Sequence, residues 1–273
     1  MTRSTIDTLY RALALLSVLV LATPALGGAT GQAYNCSLSG EVTAADDMVV
    51  WNTANPEDWL VHAEAEVYHA CPPLYHDYGV DTEEWAPAGD GHVQTAATVP
   101  SASATNIEAS AAGGGFTKVG SVQSSAHDIP ASWSAAAGLA QYDNLFWIVY
   151  AGGGSPPPGP TSVNVAVTGD WYLQGNSDPD DNWSADVTLY AEVYDEDGDI
   201  LAFQREYHRL DGPGPKSKSG QVNFLFDVDL EYDTAYALRY YIDAESYAVA
   251  VPEPATLTLL LTSGVLLARR RRC

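Results

Sequence analysis

The stretch that decides the fold is QVNFLFDVDL, residues 221–230. Val222, Phe224, Phe226, Val228 and Leu230 are apolar, and the residues between them include Asn223, Asp227 and Asp229. A period of two places alternate side chains on opposite faces of an extended chain, so this segment reads as a strand with one face on a core and one in water. The pattern recurs. Val163, Val165 and Val167 form one stripe; Val187, Leu189, Ala191 and Val193 a second; Tyr236, Leu238, Tyr240 and Ile242 a third. Ser37–Thr43, Trp59–Ala70, His92–Val99, Thr105–Ala111, Phe116–Ser124 and Asn144–Ala151 are further strand candidates. Many strands at short spacing, divided by Gly, Pro, Asn and Asp, predict an all-β fold, an antiparallel β-sandwich of jelly-roll-like kind.

Turn chemistry agrees. Asp195-Glu196-Asp197-Gly198-Asp199 joins two strands, with Gly198 free to take the positive φ of a hairpin or bulge. Asp211-Gly212-Pro213-Gly214-Pro215 opens a loop. Residues 152–160, GGGSPPPGP, read as a long loop inside one unit or as a linker. Ser134–Leu139 is the one segment expected to form a helical turn, and no internal repeat is evident.

The two chain ends have a different character. Arg3 and Arg11 precede an apolar run, Ala12 to Ala22, and then Thr23-Pro24-Ala25-Leu26-Gly27. This is the order of a secretory signal peptide, residues 1–27, with cleavage after Gly27 and Ala29 or Ala33 as alternative sites. At the other end Val251–Cys273 reads VPEPATLTLLLTSGVLLARRRRC. As helix, the uncharged run Ala255–Ala268 reaches about 21 Å, short of a hydrocarbon core of roughly 30 Å. It is therefore a marginal anchor. Arg269, Arg270, Arg271 and Arg272 place its end in the cytoplasm. Pro252 and Pro254 hold the approach extended, in the form a processing enzyme accepts.

Pro252, Glu253 and Pro254, the leucine-rich run 257–267 and the arginines at 269–272 together resemble the PEP-CTERM sorting signal of exported proteins in Gram-negative bacteria. The resemblance covers residues 251–273 and not the body of the chain; Cys273 departs from the pattern. It implies recognition and removal of the tail by a membrane enzyme, exosortase, after signal peptidase has acted at the N-terminus. It also implies export through the inner membrane, a transient anchor, and a destination at the cell surface or in an exopolysaccharide-rich biofilm matrix.

Export bears on the cysteines. Cys36 and Cys71 are the two in the exported part, and an oxidising compartment predicts that they pair. Two thiols are too few for a thiolate zinc site. The chain carries 35 acidic and 12 basic residues. Without the two ends, residues 28–250 keep 33 acidic and 6 basic residues, a net charge of −27. Nucleic acid is excluded as a partner by that charge. The 16 tyrosines and 7 tryptophans exclude a disordered acidic tail and fit one acidic domain over residues 28–250.

Candidate sites lie in the acidic loops and on one strand. Asp178, Asp180 and Asp181 cluster hard oxygen ligands, and Asp195, Asp197 and Asp199 do so again. Two readings stand: solvated turns, or a calcium site. Gly198 falls at position 4 counted from Asp195, so the segment is not an EF-hand. On Trp59–Ala70 the period of two puts His62, Glu64 and Glu66 on one face, which reads as the solvent face or as an acid–base or metal constellation. His69 and His76 flank Cys71-Pro72-Pro73. Hydrolase, zinc-protease and phosphate-loop signatures are absent, and no catalytic residue is assigned. Trp51, Trp59, Trp85, Trp133, Trp147, Trp171 and Trp183 are candidates for core packing or for stacking on sugars, with Trp85 and Trp183 expected to be exposed by their acidic neighbours. The expected role is structural or adhesive and non-catalytic. A carbohydrate- or calcium-binding adhesin is the alternative, and a two-carboxylate glycan-active enzyme comes third.

Overall fold

A computed structural model describes residues 28–52, 58–69, 75–84, 91–99, 102–112, 116–127 and 132–250. The described residues are all-β: β1 (Gly28–Ala44), β2 (Met48–Trp51), β3 (Asp58–His69), β4 (Tyr75–Glu84), β5 (Gly91–Val99), β6 (Ala102–Ala112), β7 (Phe116–His127), β8 (Ser132–Val149), β9 (Thr161–Ser177), β10 (Asn182–Asp195), β11 (Ile200–Asp211), β12 (Lys216–Leu230) and β13 (Ala235–Ala250). They form two antiparallel sheets. One has the order β12-β9-β1-β7-β6-β5; the other has β11-β10-β13-β8-β3-β4, with β2 beside β3 on the same edge of β8.

The alternation read from sequence sets the layers. Val222, Phe224, Phe226, Val228 and Leu230 of β12 face inward, as do Val187, Leu189, Ala191 and Val193 of β10 and Tyr236, Leu238, Tyr240 and Ile242 of β13. They meet Val163, Val165 and Val167 of β9 in one core shared by the two facing sheets. Burying such stripes supplies the main driving force, roughly 1.5–3 kcal/mol for each large apolar side chain. Toward β3, β6 and β7 the core changes to alanine, valine and serine. Small side chains let the layers approach: a Cβ on Gly31 of β1 would lie 2.4 Å from the Ser184 carbonyl oxygen of β10. Nearby, Ser124 Oγ of β7 donates to the Ser246 carbonyl of β13 at 2.9 Å, which satisfies a hydroxyl buried between the sheets.

Residues 152–160 connect β8 in one sheet to β9 in the other, β9 pairs with β1, and β13 pairs with β8. Both sheets thus draw strands from either side of that loop. The expected helical turn at Ser134–Leu139 is instead the middle of β8, paired on one side with β3 and on the other with β13. Two flanking ladders outweigh the helical propensity of an alanine run, which is a weak local preference.

The expected Cys36–Cys71 bridge falls outside the described residues at Cys71; Cys36 itself is a buried free thiol of β1.

Candidate functional site: an acidic groove beside an aromatic row

Every second residue of the β11–β4 sheet points away from the core, and these side chains build a cluster of ionisable groups. The cross-strand register aligns Glu64 of β3 with Ala137 of β8, Glu245 of β13, Asp186 of β10 and Arg209 of β11. The neighbouring row holds Glu66, Ala135, Tyr247, Ser184 and Asp211. Ala135 and Ala137 carry only a methyl group, so the middle of the face sinks. The result is an open groove of about 450 Å³ walled by Glu64, Glu66, Asp186 and Glu245.

The carboxylates differ in their partners. Asp186 Oδ1 accepts the Tyr207 hydroxyl at 2.7 Å and lies 3.7 Å from Arg209 Nε. Glu66 Oε1 meets His76 Nε2 at 2.7 Å, and Glu64 Oε2 lies 3.7 Å from His62 Nε2. Burial pushes the Glu245 carboxyl above the ordinary range, Asp243 and Asp186 add to the rise, and Arg209 opposes it. Burial likewise raises Asp243, against the pull of Arg205 and His62. Glu245 and Asp243 are therefore easier to protonate than ordinary carboxylates.

An aromatic row runs along one end of the groove. Tyr68 of β3 and Trp133 of β8 stack with centroids 6.3 Å apart, and Trp133 lies 6.5 Å from Tyr247 of β13. Tyr68 and Trp133 are half-buried and Tyr247 is exposed. Neighbouring strands are about 4.8 Å apart, so one aromatic from each of three strands makes a continuous platform.

His62, Glu64 and Glu66 share this face as expected from the period of two. The six aspartates proposed for calcium do not come together. Asp178–Asp181 form the turn before β10, where the Asp181 N–H donates to the Asp178 carbonyl at 3.2 Å. Asp195, Asp197 and Asp199 lie at the other end of β10, about 45 Å away. There Asp195 Oδ1 accepts the N–H groups of Asp197 and Asp199, at 3.1 and 2.9 Å, and Gly198 takes a φ of 85°. Among the described residues, no group of three or more His, Cys, Asp or Glu has metal-holding geometry.

Trp183 is not exposed. It is 2% accessible, on the inward stripe of β10, with its ring over Gly175, where a Cβ would come within 2.2 Å of it. Its acidic neighbours belong to the turn, but its parity belongs with Ala185 and Val187. Trp171 is buried too and stacks on His208 at 3.9 Å, while Trp51 packs on Phe146. Trp85, the side chains of Trp59 and His69, Pro252, Glu253, Pro254, Arg269, Arg270, Arg271, Arg272 and the leader 1–27 lie outside the described residues. Sequence reasoning missed Tyr68, Trp133, Tyr247, Asp186 and Glu245 as one surface. Each stripe's parity was legible; the register that aligns them was not.

No protein-family model matches this chain, and no curated protein matches it.

Proposed function

We propose that the protein is an exported, non-catalytic component of the cell envelope or extracellular matrix, and that it adheres to polysaccharide through the groove and aromatic row of the β11–β4 sheet. On this reading the two facing sheets are an antiparallel β-sandwich of jelly-roll-like kind. The leader delivers the domain across the inner membrane, and the tail is removed by an exosortase-type enzyme at Pro252-Glu253-Pro254. The observation that carries the reading is the row Tyr68–Trp133–Tyr247 lying against Glu64, Glu66 and Glu245. Aromatic faces stack on the apolar faces of sugar rings, and flanking carboxylates accept hydroxyl hydrogen bonds. An open groove suits a long chain rather than a small molecule.

Binding of residues 28–250 to a polysaccharide array tests this. Tyr247→Ala and Trp133→Ala should each weaken binding about tenfold, while Leu225→Ala, on the opposite sheet, leaves it unchanged. A wild-type domain that retains no polysaccharide would remove the reading. The sorting step is tested by mass spectrometry of the secreted protein: an intact end at Cys273 would refute processing.

One observation favours a second reading, a glycan-cleaving enzyme. Asp186 and Glu245 are directly opposed on neighbouring strands, a placement that sets Cβ atoms about 5 Å apart. Glu245 is raised toward the protonated form of a general acid, and Asp186 is held by Arg209 and Tyr207. Release of reducing ends by wild type but not by Glu245→Gln would establish it; no release by wild type would reject it.

A further inference from the structure

The outer face of the β12–β5 sheet carries a second groove, of different chemistry. The register sets Gln174 of β9, Gln32 of β1 and Gln123 of β7 side by side on three neighbouring strands in the middle of that sheet. The row on one side of them holds Tyr172, Tyr34 and Ser121, and the row on the other side holds Asn176, Thr30 and Ser125. Thr30, Gln32, Gln123, Gln174 and Asn176 line a groove of about 470 Å³.

The amides order one another. Gln174 Nε2 donates to Gln32 Oε1 at 2.6 Å, and Gln32 Nε2 donates to Ser121 Oγ at 2.8 Å. Each of these amides keeps a second N–H to donate, and the Gln123 amide bonds to no other described side chain. Beside them Tyr34 and Tyr172, both half-buried, stack with centroids 5.5 Å apart and 28° between their planes. On β9, β1 and β7 the three rows hold no charged side chain, although residues 28–250 carry a net charge of −27. Lys216 is the one charged residue among the described lining, and its Nζ donates to the Asp211 carbonyl at 2.7 Å. A charged ligand would lose water here without gaining a counter-charge, and the net charge of the domain repels polyanions besides. Interior strands offer no free edge to an added peptide strand. Hydroxyls are donors and acceptors at once, as primary amides are, and aromatic faces pack on the C–H faces of sugar rings.

We infer that this groove binds an uncharged polysaccharide, with Gln32, Gln123 and Gln174 bonding its hydroxyls and the Tyr34–Tyr172 pair packing against a sugar ring. The groove lies on the opposite face of the molecule from the acidic groove and differs from it in ligand chemistry. It stands on its own residues, whether or not the acidic groove takes a sugar chain.

All strands of both sheets lie within residues 28–250, so this segment is used for the test, by affinity gel electrophoresis. Xyloglucan, galactomannan and dextran serve as uncharged polymers and polygalacturonate as a polyanion. Wild type should be retarded by at least one uncharged polymer and not by polygalacturonate. Tyr34→Ala should weaken that retardation about tenfold, and Gln123→Ala about fivefold. Leu225→Ala, at the far end of the same face, should leave it unchanged. Gln123 bonds to no described side chain, so Gln123→Ala should melt with wild type, which separates lost binding from lost fold. Wild type retarded by no uncharged polymer would overturn the proposal. So would retardation that Trp133→Ala abolishes and both groove variants keep, an outcome that leaves the acidic groove as the site.

Discussion

Arg239 Nη2 stands 2.8 Å from Asp143 Oδ2, joining β13 to β8 on the outer face of the β11–β4 sheet. The same guanidinium reaches Glu192 Oε1 on β10 at 3.0 Å and the Tyr194 hydroxyl at 3.2 Å. Asp143 and Glu192 are 8% and 5% accessible, so one cation holds two carboxylates largely out of water.

Removing that cation leaves both charges uncompensated. Arg239→Met should destabilise the protein by about 2 kcal/mol, the lower part of the range for broken ion pairs because the arginine is itself partly in water. Urea unfolding measures it. Adding Asp143→Asn and Glu192→Gln should recover most of the loss, since neutral amides have no charge to strand. A triple variant no more stable than Arg239→Met would show that packing of the arginine stem, not charge, carries the effect.

The raised carboxyls of Glu245 and Asp243 give a pH dependence whose sign is fixed. Their folded pKa values lie above ordinary values of 4.5 and 3.8, so the folded state binds these protons more tightly. Their penalty is absent below those ordinary values and grows as pH rises through the folded pKa. Glu245→Gln should therefore raise the melting temperature at pH 7, by about 2 °C, with the gain vanishing toward pH 4. A gain independent of pH would mean that burial and neighbouring charge are not the cause.

Much of this fold was readable from parity and much of the site was not. Val222–Leu230 and Val187–Val193 keep an inward apolar stripe throughout, and each lies within a strand. β1 was read only from Ser37 because its alternation breaks: Ala29, Gly31 and Ala33 face inward, then Cys36 and Leu38 do. Asn35, with a φ of 50°, forms the bulge that shifts the parity. β4 escaped notice because TyrHisAspTyrGlyValAsp carries its polar residues on the inward side of an edge. The groove was illegible for a different reason. Glu64, Asp186 and Glu245 are far apart in sequence, and only pairing register sets them in a row.

The close approach of the layers at Gly31 is a packing requirement. Gly31→Ala would drive a methyl group into the Ser184 carbonyl, and neither backbone can yield without moving its sheet. A cost of about 3 kcal/mol is expected, at the upper end for overpacking. Gly153→Ala, where a Cβ meets nothing within 4 Å, is the control and should be neutral. Equal denaturation midpoints for the two variants would contradict the pinch.

Cys36 carries the last prediction. Its thiol is fully buried, bonds weakly to the Tyr34 carbonyl at 3.7 Å, and is pushed up to about 11 by burial, with a backbone hydrogen bond from Tyr172 opposing. The thiolate is the reactive form, so at pH 8 a folded population should resist maleimide and iodoacetamide. Labelling of residues 28–250 at Cys36 should become fast only in denaturant, with a rate that tracks unfolding. Reduction should change neither mass nor mobility, since Cys36 is a free thiol in the fold. A two-dalton mass increase on reduction, with Cys36 and Cys71 both released, would instead show the bridge expected from the sequence.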